Sequence, residues 1–329
     1  MDLDFKKYKY PMLYRNVDLR LDEIDERVLV KSKEILSGVI KHGYVVTEAS
    51  DEFFYAHFTN LILLALVEDP SLTERYCVAE SKRVYYELLD EDELTELLLL
   101  LAHTFGVKLY YDKRYYIHFI DYISNGCSRI SRYYKAIFLG RVHRGWVPLS
   151  EKECIRVLVE IYKSWLRQCV KRARKNLLLT DVPEGLLKLA EFISRLWREQ
   201  RKRTVIIATK FLELGQYPPC IEKLLEDLKS GKNLPHHARF ALATFLLNIG
   251  KPIDEVVDLF RTSPDFNERI TRYQVEHLAG LRGSRVKYSP YKCSNMKSLG
   301  LCVDVEGKIC KGIHHPLQYY KRGVKSEYV

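Results

Sequence analysis

The sequence of 329 residues is poor in glycine and proline, with 16 and 11 residues, and it lacks long hydrophobic runs. These low counts exclude collagen-like and low-complexity chains. The most apolar segment, residues 53–67, is interrupted by His57, Thr59 and Asn60. It therefore falls short of the roughly 18 apolar residues of a membrane span. The first residues are acidic where a signal peptide is basic, which predicts a soluble intracellular protein without membrane contact.

Several motifs of catalytic chemistry are also missing. The chain has no phosphate-binding loop, dinucleotide fingerprint, zinc-protease motif or serine nucleophile elbow. A two-metal centre needs paired carboxylates. We assign the candidate pairs to a chain end, a solvated acidic run and a helix start: Asp2/Asp4, Asp22/Asp25 and Asp90/Asp92. The sequence therefore predicts no catalytic residue.

Hydrophobic periodicity predicts a mainly α protein with a small strand element. Predicted helices cover residues 27–42, 71–89, 94–105, 151–176 and 183–198, and a hairpin joins 109–111 to 115–117, with a further short strand around 145–148. Ser71, Ser150 and the Asp90/Glu93 capping box are predicted to start three of these helices. A basic run then marks a boundary, which predicts a helical domain 1–202, a linker at 199–204 and a second domain 203–329.

The net charge of +10 is concentrated near the C-terminal end. Residues 203–329 contain 20 Lys and Arg against 13 Asp and Glu, and residues 269–329 contain 12 against 4. A local excess of this size indicates an anionic partner.

Eight cysteines fall into two groups. Cys77, Cys127, Cys154 and Cys169 lack chelating spacing and are predicted to be buried structural thiols. The other four, Cys220, Cys293, Cys302 and Cys310, belong to the C-terminal region, where little periodicity supplies a core.

Four thiolates suit either a structural zinc ion or an iron–sulfur cluster, and either would order an irregular segment. The lack of a tight Cys-x₂₋₄-Cys knuckle favours a cluster. Four histidines keep zinc open as an alternative: His236, His237, His314 and His315.

The C-terminal part resembles the iron–sulfur domain of the large subunit of archaeal and eukaryotic DNA primase. The matching stretches are Tyr-Pro-Pro-Cys at 217–220, Asn-Leu-Pro-His-His-Ala-Arg-Phe at 233–240, Ile-Thr-Arg-Tyr at 270–273, Tyr-Ser-Pro-Tyr-Lys-Cys at 288–293, Gly-Leu-Cys at 300–302, and Cys310 ahead of His-Pro-Leu-Gln-Tyr-Tyr at 315–320. More loosely, His-Phe-Ile-Asp-Tyr at 118–122 and Gly-Trp-Val-Pro-Leu-Ser at 145–150 resemble the helical domain of the same family.

The resemblance implies two mainly helical parts and one [4Fe-4S] cluster bound by Cys220, Cys293, Cys302 and Cys310. It implies a non-catalytic subunit whose N-terminal domain docks the catalytic small subunit. The implied ligands of the C-terminal domain are a single-stranded DNA template, a nucleoside triphosphate and the triphosphate-bearing 5′ end of an RNA primer. The aromatic segments 110–122 and 133–138, together with Trp146, offer candidates for the contact with the small subunit, although core packing is the expected role for most of them.

Three residues match family positions at the nucleic acid: His236 and Arg239, which contact the primer 5′ end, and Tyr273. Arg282, Arg285 and Lys287 are further candidates, chosen by charge alone. Two alternatives from other classes stay open: a stand-alone iron–sulfur DNA repair enzyme of the glycosylase kind, and a zinc-stabilised nucleic-acid-binding module.

Overall fold

The computed structural model describes residues 3–14, 20–124, 141–178, 180–213, 216–283 and 285–326. The chain divides into an N-terminal unit, Met1–Ile40 with Tyr44–Arg195, and a C-terminal unit, Lys41–Gly43 with Leu196–Val329. The described residues are mainly helical with a small three-stranded sheet, which confirms the predicted mainly α class. None of the described helices combines the length and the apolar character that crossing a membrane requires.

The N-terminal unit is built around one long helix. Its elements are α1 (Leu3–Lys9), α2 (Glu26–His42), α3 (Asp51–Val67), α4 (Pro70–Leu89), α5 (Leu94–Thr104), β1 (Leu109–Tyr111), β2 (Tyr115–His118), α6 (Phe119–Ser124), β3 (Trp146–Leu149) and α7 (Glu151–Leu177). α7 packs against α3 and α4. Its buried side chains include Leu158, Tyr162, Leu166 and Val170, whose spacing of four places them on one face.

The start of α7 follows the predicted signal. The Ser150 hydroxyl accepts the Glu153 N–H, and the Glu153 carboxylate accepts the Ser150 N–H at 2.8 Å. This reciprocal pair satisfies two backbone donors that the first helical turn leaves without a partner. The capping box therefore fixes where the long helix begins.

Two other predicted caps were wrong. Asp69, not Ser71, caps α4, because its carboxylate accepts the N–H groups of Ser71 and Leu72 while a proline occupies the first helical position. α5 begins at the predicted place, but Glu93 is its N-cap residue and makes no side-chain cap bond. Asp90 instead ends α4 as its C-cap residue. An acidic residue between two helices is thus ambiguous in sequence, because it suits the end of one as well as the start of the next.

The predicted hairpin is confirmed. The sheet has the antiparallel order β1-β2-β3, with Tyr110 opposite Tyr116 and His118 opposite Trp146. The inner face carries the buried side chains Tyr115, Ile117, Val147 and Leu149. The opposite face carries a stacked pair, Tyr110 on Tyr116 at 4.8 Å, with Trp146 edge-on to Tyr110 at 4.7 Å. The segment 133–138 lies outside the described residues.

A buried ion pair stabilises the packing of α4. Glu80 is 2% exposed and Arg83 is 6% exposed. Arg83 donates to both carboxylate oxygens of Glu80, at 2.9 and 2.6 Å, and the Tyr162 hydroxyl of α7 donates to the same carboxylate at 3.1 Å. Arg83 also donates to the backbone carbonyl of Lys9 at 2.8 Å. The pair therefore links α4 to α7 and to the end of α1.

The helix α8 (Glu184–Glu213) begins in the N-terminal unit and ends in the C-terminal unit. It starts at the predicted place after Pro183 but extends well past residue 198. The segment predicted to link the two parts, residues 199–204, is helical. Its glutamate, glutamine, arginine and lysine residues have high helix propensity, which accounts for this conformation. The division into domains 1–202 and 203–329 stays a prediction.

The C-terminal unit continues with short helices around its own core. They are α9 (Pro219–Lys229), α10 (His236–Asn248), α11 (Ile253–Leu259), α12 (Glu268–Leu278), α13 (Cys293–Ser298) and α14 (Pro316–Ser326). Leu225, Leu242, Phe245, Val257 and Phe266 belong to the buried cluster between them. α10 is central to this unit, because it packs against α9, α11, α12 and α14.

Candidate metal centre and nucleic-acid interface

Four cysteines from separate segments line one cavity of the C-terminal unit. Cys220 lies in the first turn of α9, and Cys293 is the first residue of α13. Cys302 and Cys310 lie in the irregular chain between α13 and α14, and all four are free cysteines. The lining is completed by Pro218, Pro219, Met296, Lys297, Asp304, Gly307, Ile313 and Pro316. The structure thus brings together the four cysteines that the sequence analysis selected.

Prolines and aromatic rings fix the position of Cys220. Pro218 is the N-cap residue of α9, and Pro219 occupies its first helical position, where the missing N–H costs no hydrogen bond. The preceding residue, Tyr217, is buried and stacks on Tyr320 of α14 with ring centroids 6.0 Å apart. The start of α9 is therefore held against α14.

The helix α13 positions two more thiols. The N–H of Cys293 donates to the His314 carbonyl at 3.0 Å, which joins the start of α13 to the C-terminal segment. The N–H of Cys302 donates to the carbonyl of Met296, a residue of α13 that is 1% exposed. One short helix therefore presents Cys293 at its start and anchors Cys302 just beyond its end.

The candidate histidines do not line this cavity. In the part of the chain that the structure describes, His236, His237, His314 and His315 are all absent from its lining. Nδ1 of His315 accepts the Leu317 N–H at 3.2 Å, and its Nε2 donates to the Pro290 carbonyl at 3.1 Å. Because both ring nitrogens are engaged, His315 is a structural link between the chain near Cys293 and α14.

Burial raises the pKa of three thiols that line the cavity, those of Cys220, Cys293 and Cys310. Burial raises the pKa of Cys220 to about 12, and the charges of Cys293, Cys302 and Cys310 contribute to this shift. Burial, together with the Asp304 carboxylate beside it, raises the pKa of Cys310 to about 11. Deprotonating several of these thiols together therefore requires a compensating positive charge, which a bound metal centre supplies. Among the described residues, no three His, Cys, Asp or Glu side chains are arranged to hold a single metal ion.

The start of α10 places two predicted contact residues on the surface. His236 is the exposed first residue of the helix, whose first turn contains no acidic residue. Arg239 lies one turn further on, and its two terminal nitrogens donate to the carboxylate of Asp265 at 2.8 and 2.7 Å. This bidentate pair holds the guanidinium in a fixed orientation.

Aromatic and imidazole rings form a continuous row between α10 and α12, with neighbouring centroids 4.7–6.4 Å apart. In order along the row the rings are His236, His237, Tyr291, Phe240, Tyr288, His277 and Tyr273. Tyr273 is 54% exposed at one end, and His236 is exposed at the other. The row joins two predicted contact residues through rings that were not predicted from sequence as nucleic-acid contacts.

The three basic candidates lie on one loop beside this row. Arg282, Arg285 and Lys287 are exposed. The loop leaves α12 and returns to it, since the Tyr288 N–H donates to the carbonyl of Leu278 at 2.9 Å. A Cβ added at Gly280, whose φ is +80°, would lie 2.9 Å from the Lys287 nitrogen, so only glycine allows this close return. The structure thus places the basic loop at the end of the helix that carries Tyr273.

Comparison with known proteins identifies the family. The family model for the C-terminal domain of the eukaryotic and archaeal DNA primase large subunit matches residues 211–308. The chain is 34% identical over 272 residues to the DNA primase large subunit PriL of Methanococcoides burtonii, an alignment that covers 80% of this chain and 72% of the relative. This chain belongs to the DNA primase large-subunit family. The PriL of Methanosarcina mazei is 33% identical over 308 residues, or 91% of this chain and 79% of the relative.

Membership of the primase large-subunit family confirms the function predicted from sequence. The chain has the non-catalytic role of a primase large subunit, and its relatives imply that it acts within a primase complex. Neither the repair enzyme nor the isolated zinc module is favoured. The family match includes every predicted nucleic-acid contact and three of the four cavity cysteines, and it ends two residues before Cys310.

The other described cysteines of this primase subunit, Cys77, Cys154 and Cys169, do not line the cavity. Cys77 and Cys154 are fully buried in the N-terminal unit, and burial raises the pKa of each thiol to about 12. Both therefore fit the predicted structural role. Cys169 is half-buried and accepts a hydrogen bond from Arg172 at 3.2 Å, and Cys127 lies outside the described residues.

Proposed function

We propose that the C-terminal unit of this primase large subunit binds the single-stranded template, the initiating nucleoside triphosphate and the 5′ end of the RNA primer. The observation that carries the proposal is the row of rings from His236 to Tyr273 with the basic loop beside it. Single-stranded nucleic acids are bound by aromatic side chains that stack on bases and by cations that contact phosphates. Both kinds of side chain lie on this surface.

The start of α10 suits the triphosphate of the primer end. A helix N-terminus directs its free N–H groups and the positive end of its dipole toward an anion. Because the first turn of α10 has no acidic residue, nothing within it opposes that attraction. Arg239 adds a cation one turn away and has a planar group that matches phosphate oxygens. His236 is the first residue of this helix.

We further propose that Cys220, Cys293, Cys302 and Cys310 hold one [4Fe-4S] cluster. The donor set fits, because four thiols from α9, from α13 and from the chain that follows α13 line one cavity, and iron–sulfur clusters are held by thiolates. When bound, the cluster ties these segments together, and we assign it a structural role. Zinc is the competing occupant, and metal analysis of anaerobically purified protein separates the two.

The N-terminal unit is proposed to dock the catalytic small subunit. The small subunit would supply the paired carboxylates that this sequence lacks. Primer synthesis for DNA replication would then depend on the two chains together, with this chain holding the nucleic acid and the starting nucleotide.

The test is primer synthesis from nucleotides on a single-stranded template, with this chain alone, with the small subunit alone and with both. Initiation that requires both chains supports the proposal, whereas synthesis by this chain alone refutes it. In the complex, His236→Ala and Arg239→Ala are expected to reduce initiation at least tenfold and extension of a preformed primer far less. His103→Ala is the matched control, since His103 is an exposed histidine of α5 in the N-terminal unit. Equal losses of initiation and extension would contradict the assignment to the primer 5′ end.

A further inference from the structure

The chain between Cys302 and Cys310 has almost no apolar packing of its own. Its apolar side chains Val303, Val305 and Ile309 are 52%, 64% and 62% exposed. Asp304, in contrast, is 9% exposed and lines the cysteine cavity. The one charged side chain that this loop buries therefore points inward, while its apolar side chains face solvent.

The Asp304 carboxylate organises the end of the loop. One oxygen accepts the N–H of Lys308 at 2.9 Å, and the other accepts the N–H groups of Ile309 and Cys310 at 3.0 and 2.7 Å. The Gly307 N–H donates to the backbone carbonyl of Asp304 at 3.2 Å. A single side chain thus satisfies three successive backbone donors, the last of which belongs to a cavity cysteine.

The rest of the loop has one further anchor to α13. Nζ of Lys297 donates to the carbonyl of Val305 at 2.9 Å. This bond fixes the middle of the loop and leaves residues 308–310 to be held by Asp304. Hydrogen bonds to an ionised acceptor are shorter and stronger than neutral ones, so they can order a segment that hydrophobic burial does not.

We propose that Asp304 is a positioning residue, whose carboxylate holds residues 308–310 in the turn that presents the Cys310 thiol to the cavity beside Cys302. The inference rests on the proposed function insofar as the cavity holds the cluster. Both oxygens of Asp304 already accept backbone N–H groups, so its role is to orient a ligand. Its negative charge also lies next to Cys310, where it would lower the reduction potential of a cluster held by that thiol.

The test uses the full chain, purified anaerobically, with three variants. Asp304→Ala removes every acceptor, and Asp304→Asn keeps one carbonyl oxygen and loses the charge. Glu306→Gln is the matched control, because Glu306 is an acid of the same loop whose side chain is 71% exposed and pairs with Lys308 on the surface. The measurements are hydrogen exchange of peptides covering residues 303–310, iron and sulfide content, and the midpoint potential of the iron centre.

In Asp304→Ala we expect exchange within residues 303–310 to accelerate at least tenfold and iron content to fall below half of the wild-type value. Asp304→Asn should retain more iron than Asp304→Ala, with a midpoint potential above that of wild type. Glu306→Gln should match wild type in exchange and in iron content. Exchange in α3–α7 of the N-terminal unit should stay unchanged in all three variants, which a general loss of folding would not allow.

Two results would overturn the inference while leaving the cluster intact. One is an Asp304→Ala variant with full iron and a protected loop, and the other is a loss of protection that extends through the N-terminal unit. A wild-type chain that contains no iron instead refutes the proposed cluster. In that case the exchange data alone decide whether Asp304 orders the loop.

Discussion

Replacing Glu80 by glutamine should destabilise the N-terminal unit strongly and in a pH-dependent way. The variant keeps the size of the side chain but leaves the Arg83 guanidinium buried without a counter-charge. Removing one partner of a buried ion pair costs about 3–5 kcal/mol. The Tyr162 hydroxyl and the His57 ring also face this carboxylate, at 3.1 and 3.4 Å, so the variant weakens several contacts together.

The lowered pKa of Glu80 independently implies a stabilisation of similar size. Burial raises this pKa, but the charge and hydrogen bonds of Arg83 outweigh burial and lower it from 4.5 to about 2. A shift of this size corresponds to about 3 kcal/mol of stabilisation. Because the folded-state pKa is depressed, the contribution is complete above pH 4.5 and is lost as the pH falls through 2. At pH 3 more than half of it should be gone.

The assay is urea unfolding of the full chain, followed by circular dichroism at pH 7 and at pH 3. The free energy of unfolding of Glu80→Gln should be lower than that of wild type by about 3 kcal/mol at pH 7, and by about half of that or less at pH 3. Glu34→Gln is the control, since Glu34 is 60% exposed beside Lys31 and surface pairs contribute at most about 1 kcal/mol. A variant within about 0.5 kcal/mol of wild type at pH 7, or a difference that does not change with pH, would refute the reasoning.

Two further predictions concern the C-terminal unit. Cys302→Ser should abolish the bound iron and the brown colour expected of an iron–sulfur protein. It should also destabilise residues 203–329, while unfolding of the N-terminal unit stays unchanged. Cys169→Ser is the matched control, and a Cys302→Ser protein with full iron content would contradict the ligand assignment. Tyr288→Leu should weaken binding of a fluorescent single-stranded oligonucleotide by about 5- to 150-fold, since base stacking contributes about 1–3 kcal/mol. Tyr86→Leu, at an exposed tyrosine of α4, should leave this affinity unchanged, and equal affinities for all three proteins would exclude the row of rings from the interface.

Local signals predicted much of the fold. The capping box at Ser150 and the hairpin turn after Tyr111 both depend on residues close in sequence, and the structure forms both as predicted. The errors arise where two local signals compete, as at Ser71 beside the better cap Asp69. The predicted helix 183–198 is shorter than α8, because a basic run resembles a linker in sequence although its residues favour helix.

The candidate site was predictable only in part. Cysteine type and spacing selected the four thiols, since few other residues have that chemistry. The row of rings was missed because His277 and Tyr288 meet only through packing of α12 against a loop, which no spacing rule encodes. Asp304 was missed because an aspartate that accepts backbone N–H groups resembles any loop acid in sequence.

Under the proposed function, the pairing of Arg239 with Asp265 bears on how readily a primer 5′ end bound at α10 would dissociate. A phosphate that approaches Arg239 meets a guanidinium already shared with a carboxylate, whose negative charge repels it. The Asp265 carboxylate therefore fixes the orientation of the Arg239 guanidinium and at the same time weakens its attraction for phosphate. Such a surface favours fast dissociation of a primer 5′ end over a long lifetime of the complex. For a protein that must start one primer after another, rapid turnover of the 5′ end is as useful as its capture.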